Sequence, residues 1–280
     1  MSVTGKRMRK NPHGWMLAAV LLLAAAGLLA VHSHQTAAVP PEEPAQEEPS
    51  VTVIPAEPEL PELPEEPVEE DPVPEKPWGP VAESAPVDDS YFDDAVFIGD
   101  SRTVGMYEYG GLEETSTFYA STGLTIYKMF DSKIVAVPGQ KKKITVEEAL
   151  SEKQFAKIYL MIGINEMGTG TVESFMKAYG EAVQHLQQLQ PDAVIYLQAI
   201  MKVTTERSGQ GDYITNEGIE ARNEEIAKLA DDEKIFYLDV NPLICDETGG
   251  MVASYTYDGV HLKAQYIPIW LDFLKQHAVE

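Results

Sequence analysis

Cysteine is almost absent. Cys245 is the only one in 280 residues, which excludes an internal disulfide framework whatever compartment the chain occupies. It follows the apolar run 235–240 and a proline turn, and there it reads as a small buried hydrophobe rather than a nucleophile. Positive charge is scarce as well: 21 Lys and Arg stand against 45 Asp and Glu, a net charge of −24. Nucleic acid and anionic lipid are therefore poor partners. No group of residues has metal-ligand spacing and no glycine-rich loop cradles a phosphate, so neither metal nor cofactor is implied. Internal repeats are also missing.

Long hydrophobic runs are limited to one, at residues 15–31. Lys6, Arg7, Arg9 and Lys10 precede it. A positive flank stays on the cytoplasmic side, so the reading is a cytoplasmic tail (1–14), a single-pass signal anchor (15–31) and an extracytoplasmic remainder. Ala37 and Ala38 are small, but no clean Ala-x-Ala site follows the run, so the anchor is expected to stay uncleaved; cleavage would make the chain secreted. Residues 32–89 are read as a disordered linker. From residue 40 it is dominated by Pro and Glu, with a net charge of about −15, and it cannot bury enough apolar surface to fold. Proline favours extended polyproline II and like charges repel, so some 45 residues at ~3.1 Å each make a stiff spacer of up to ~140 Å.

Residues 90–280 carry about −13 and hold the globular signals. Apolar runs at 95–98, 116–120, 157–162, 193–200 and 235–240 read as strands. The segment 134–143, with Pro138-Gly139 and three lysines, reads as a β-rich excursion. Helices are expected from near Ser101, over a short piece reaching Leu150, at 172–189, at 216–230 with Asn216 as cap, and at 263–276. Alternating strands and helices predict one three-layer α/β/α sandwich with a mostly parallel sheet.

Val96-Phe97-Ile98-Gly99-Asp100-Ser101-Arg102-Thr103 places a serine where a strand gives way to a helix, the edge at which open parallel sheets keep their sites. Ser101 there either caps the helix or acts as a nucleophile beside free N–H groups able to stabilise an oxyanion. A nucleophile needs a base. His13, His32 and His34 belong to the anchor region, and His185 and His277 read as surface residues. Only His261 has a carboxylate close by in a loop, Asp258, so elimination points to it.

Gly-Asp-Ser at 99–101, Gly123, Gly163-Ile164-Asn165 and Asp258-Gly259-Val260-His261 follow in that order. Together they resemble the four blocks of the SGNH/GDSL hydrolase family across roughly residues 90–280. The resemblance implies a flavodoxin-like sheet of about five parallel strands. It implies Ser101 as nucleophile, His261 as base and then acid, and Asp258 as its orienter, with Ser101 N–H, Gly123 N–H and the Asn165 side chain as oxyanion donors. Two positions depart from the family's pattern. Glu166 stands where the family often has Asp, and Arg102 where a small or apolar residue is usual. Arg in a first helical turn opposes the helix dipole. Glu166 or an anionic substrate would offset it, making both candidate substrate-binding residues, and solvent exposure of Arg102 is the plainer expectation. Tyr107, Tyr109 and Met129 read either as pocket lining or as core. The function implied is an extracytoplasmic serine esterase removing acyl groups, acetyl foremost, from an acylated carbohydrate of the cell envelope or extracellular matrix. A lipase, lysophospholipase or acyltransferase, and a non-catalytic glycan-binding module, are the other readings.

Overall fold

The computed structural model describes residues 81–279. The basic tail, the anchor and the linker up to residue 80 lie outside the described residues. Five strands, β1 (Ala95–Gly99), β2 (Thr117–Ala120), β3 (Lys157–Met161), β4 (Val194–Gln198) and β5 (Ile235–Leu238), form one sheet in the order β2-β1-β3-β4-β5. Every pairing is parallel. The chain runs outward to β2, then returns past β1 to β3, so strand order reverses between β1 and β3. Such a reversal opens a crevice at the carboxyl ends of the two strands.

The strands are near-continuous apolar runs because both faces are covered. On one face Val96, Ile98, Ile158, Leu160, Ile195 and Leu197 meet α2 (Val146–Glu152), α3 (Val172–Leu189) and α5 (Asn216–Ala227). On the other, α1 (Ser101–Tyr109), α6 (Asn241–Ile244) and α7 (Ile267–Gln276) cover an aromatic ladder. Phe118, Phe97, Tyr159, Tyr196 and Phe236, one from each strand, are register partners from β2 to β5. The Phe118–Phe97, Phe97–Tyr159 and Tyr159–Tyr196 rings stack at 4.8, 4.7 and 4.5 Å between centroids. A one-residue slip of any strand would carry its ring to the opposite face, so the ladder fixes register.

Several local expectations are revised. The excursion at 134–143 forms no strand; a single antiparallel bridge, Val135 with Ile144, closes it. Residues 204–213 include a short helix, α4 (Thr205–Ser208). Thr215, not Asn216, caps α5, because the Asn216 amide pairs in both directions with the Val203 backbone. Residues 264–266 are a 3-10 turn and α7 begins at Ile267, with Pro268 in its first turn. Cys245 is half-buried, and burial pushes its thiol up to about 11. The end of the expected linker is bound to the domain: the N–H groups of Val81, Ser84 and Val87 donate to carbonyls of Tyr237, Gln276 and Lys275. Residues 81–89 are thus bonded to the domain that follows them. Among the described residues no helix is long and apolar enough to cross a membrane.

Candidate active site

Ser101 sits at the carboxyl end of β1 and opens α1. Capping, one of the two jobs open to it, is done by Asp100, whose carboxylate accepts from Arg102 N–H at 2.9 Å. The Ser101 hydroxyl is thereby released. Gly99 lets this turn form, since a Cβ there would lie 2.1 Å from Thr103 Oγ1 and 2.4 Å from the Met161 carbonyl. Ser101 Oγ is 2.8 Å from His261 Nε2, although 160 residues separate them.

His261 and Asp258 come from one loop, closed by the bridge between Thr256 and Leu262. The two carboxylate oxygens of Asp258 have separate tasks. Oδ1 accepts from the N–H groups of Val260 and His261, each at 2.9 Å, and from Thr256 Oγ1 at 3.1 Å. Oδ2 is left to face His261 Nδ1 at 2.7 Å. Partial burial pushes the Asp258 carboxyl up, but the His261 N–H, the His261 ring and the Val260 N–H outweigh it and hold the group well below the usual carboxylate range. Sequence reading did not single out Thr256. Its signal is a turn pattern, Thr-x-Asp-Gly, in which the hydroxyl also accepts from Asp258 and Gly259 N–H. The other two described histidines are engaged elsewhere: His185 Nε2 meets Glu147 at 2.6 Å, and His277 Nδ1 faces the Phe273 carbonyl at 2.7 Å.

Two further loops meet at the crevice. Gly123 has φ +76° with open space where a Cβ would lie, so backbone conformation alone favours glycine there. Its N–H has no partner among the described residues. Asn165, in the turn after β3, donates one amide hydrogen to the Leu124 carbonyl at 3.0 Å and keeps the second. Ser101, as first helical residue, has an N–H without an intrahelical acceptor. The three expected oxyanion donors thus belong to the segments that follow β1, β2 and β3.

Arg102 and Glu166 depart from expectation. Arg102 is buried at 4% exposure, not solvated. Its Nε–H donates to the Val260 carbonyl at 3.3 Å, while Nη1 and Nη2 have no partner among the described residues. Burial lowers its pKa, and the carboxylates of Asp100 and Asp258 counter that. The charge that opposes the helix dipole is therefore balanced by acids on either side. Glu166 is not its partner. Fully buried, Glu166 accepts from Ile126 N–H through Oε1, and Oε2 is unpaired among the described residues. Burial raises its carboxyl to about 7, helped by Asp100 and opposed by the Ile126 N–H and Arg222. Of the three pocket-or-core residues, Met129 is buried and Tyr107 and Tyr109 are exposed. Among the described residues no group of acids, histidines and cysteine is placed to hold a metal.

Many solved structures share this fold, including three at TM-scores of 0.50 to 0.52. A Streptococcus pneumonia protein assigned as a platelet activating factor aligns at TM-score 0.52 and 22% identity, over 67% of this chain and 87% of its own. A GDSL-like lipase from Bacteroides thetaiotaomicron aligns at 0.51 and 16%, over 66% and 87%. An assigned acylhydrolase from Bacteroides fragilis aligns at 0.50 and 16%, over 65% and 84%. No curated protein matches the sequence. The profile of the GDSL-like Lipase/Acylhydrolase family matches residues 97–265, a span that runs from β1 past the Asp258–His261 loop. With that match over more than half of its length, the chain belongs to the GDSL-like lipase/acylhydrolase family of hydrolases.

Proposed function

We propose that the chain is an extracytoplasmic serine esterase that removes acetyl groups from carbohydrate, with Ser101 as nucleophile, His261 as general base and Asp258 as its orienter. The observation that carries this reading is the continuous line from Asp258 Oδ2 through His261 to Ser101 Oγ, with steps of 2.7 and 2.8 Å. Asp258 holds the proton on Nδ1, leaving the Nε2 lone pair for the serine hydroxyl. As Oγ bonds to the ester carbonyl carbon, Nε2 takes the hydroxyl proton. The carbonyl oxygen becomes an anion facing Ser101 N–H, Gly123 N–H and Asn165 Nδ2. Breakage of the carbon–oxygen bond to the sugar returns the Nε2 proton to the departing oxygen. Water then attacks the acetyl-serine by the same route, releasing acetate and restoring Oγ–H.

A short acyl group is favoured by the space available. The recess beside Ser101 and His261, walled by Met201, Leu262, Ile267 and Trp270, measures about 20 Å³. So small a recess suits an acetyl methyl better than a fatty chain. Export and anchoring rest on the single apolar run at 15–31 and its basic flank. The test is covalent: wild-type protein should be labelled by a fluorophosphonate and release p-nitrophenol from p-nitrophenyl acetate, and Ser101→Ala should do neither. Labelling or full turnover by Ser101→Ala would end the serine mechanism.

A further inference from the structure

A second cleft, of about 230 Å³, adjoins the catalytic loop and shares no lining residue with the recess beside Ser101. Tyr257, Asp258 and Gly259 form one wall and Glu206, Arg207 and Gln210 the other. The two walls are joined, because Thr204 N–H donates to the Gly259 carbonyl at 2.9 Å. We propose that this cleft binds an uncharged sugar unit flanking the one that carries the acetyl group, so that the enzyme acts on a glycan chain rather than on a free acetylated sugar. The inference rests on the esterase reading above and adds to it a subsite and a polymeric substrate.

Tyr257 is the first argument. It is 92% exposed, although an aromatic ring normally stabilises a fold by burial. Its ring does have one contact: the Lys263 ammonium lies 4.3 Å from the centroid, and that ammonium donates to the Ser254 carbonyl at 2.7 Å, which biases the ring's orientation without burying it. One face of the ring takes the cation and the other stays open. A ring with an open face suits the C–H face of a pyranose, whose weakly positive hydrogens meet the negative π-cloud.

The opposite wall supplies the polar half. Arg207 is locked by a two-pronged pair with Asp212 at 3.0 and 2.9 Å. The Glu206 and Gln210 side chains have no hydrogen-bond partner among the described residues. A carboxylate and an amide can accept from and donate to sugar hydroxyls. With Glu206 and Asp258 both present, the cleft repels an acidic sugar, and its mostly polar walls suit a sugar better than a lipid chain.

The test compares O-acetylated xylotetraose with p-nitrophenyl acetate, which is too small to reach the cleft. Tyr257→Ala should lower the ratio of kcat/KM for the tetraose to that for the aryl ester by about tenfold. Tyr257→Phe, which keeps the ring, should restore the ratio, and Gln210→Ala should lower it. An unchanged ratio in both Tyr257→Ala and Gln210→Ala overturns the subsite, as does a wild-type enzyme that cleaves the aryl ester but no acetylated oligosaccharide. Failure to cleave the aryl ester at all would instead remove the esterase reading on which the subsite depends.

Discussion

Asp258 gives one oxygen to its own loop and one to His261, so the loop cannot shift without turning the imidazole. Ser101, His261 and Asp258 are legible from sequence because few residues compete for their roles: histidine is rare, and only His261 has a carboxylate three positions away in a turn. The burial of Arg102 and Glu166 is not legible in the sequence, for a physical reason. Whether a long charged side chain is solvated depends on what packs over it, and residues 258–262, which cover Arg102, are remote in sequence. Asn165 separates a catalytic from a structural role. If its free amide hydrogen meets the oxyanion, Asn165→Ala should lose about 10²–10³ in kcat with little change in KM. Asn165→Asp, nearly isosteric but negative, should fold with a similar melting temperature and be at least as inactive. A well-folded Asn165→Asp with near-normal kcat would remove this residue from the oxyanion hole.

The turn after β1 and the turn after β3 each conceal a buried charge, and each charge ties elements together. Arg102 reaches from α1 to the Val260 carbonyl, with Asp100 and Asp258 around it. Removing the cation alone leaves Asp100 buried without its counter-charge, so Arg102→Met should destabilise by roughly 3–5 kcal/mol in urea titration. Adding Asp100→Asn should recover a large part of that loss; strictly additive effects would show that the two charges are uncoupled. Glu166 ties the turn after β3 to Ile126. Its carboxyl is raised to about 7 from 4.5, so the folded state binds the extra proton. The stability this contributes is full below about 4.5 and is lost as pH rises through about 7, a change of roughly 3 kcal/mol. Glu166→Gln should flatten unfolding free energy between about pH 4.5 and 7; an unchanged slope would place the titration elsewhere. At this scale the long helix α3 is plain in the sequence from its apolar spacing. The cap of α5 is not: Thr215 and Asn216 are both good caps, and the choice is made by Val203, which claims the asparagine amide.

Across the whole molecule the parallel sheet, with Ser101 at its carboxyl edge, follows from the alternation of buried apolar runs and helices, while the strand order agrees with the flavodoxin-like sheet that the family resemblance implies. The attachment of residues 81–89 does not follow from the sequence pattern, because they have the composition of a linker and are held by backbone bonds that composition cannot signal. Those bonds join the segment to β5 and to the end of α7. A fragment starting at Pro80 should therefore be soluble, active and more stable than one starting at Ser90. Three backbone hydrogen bonds at about 1 kcal/mol each set a difference of roughly 3 kcal/mol, measurable by thermal or urea unfolding. Equal stability of the two fragments would mean that the segment adds nothing.

The aromatic ladder also gives the molecule an optical signature. Three successive stacked pairs at 4.5–4.8 Å lock chromophores from four neighbouring strands into one chiral array. Transitions in rings held this way couple, and the coupling falls once one of those four strands leaves its place. The near-ultraviolet circular dichroism should thus report on the packing of β1 to β4. Of the ladder's rings, Tyr159 touches two stacked partners and is wholly buried. Its replacement by leucine would dim the band while leaving far-ultraviolet helix signal in place, giving a way to watch the sheet separately from the helices that cover it.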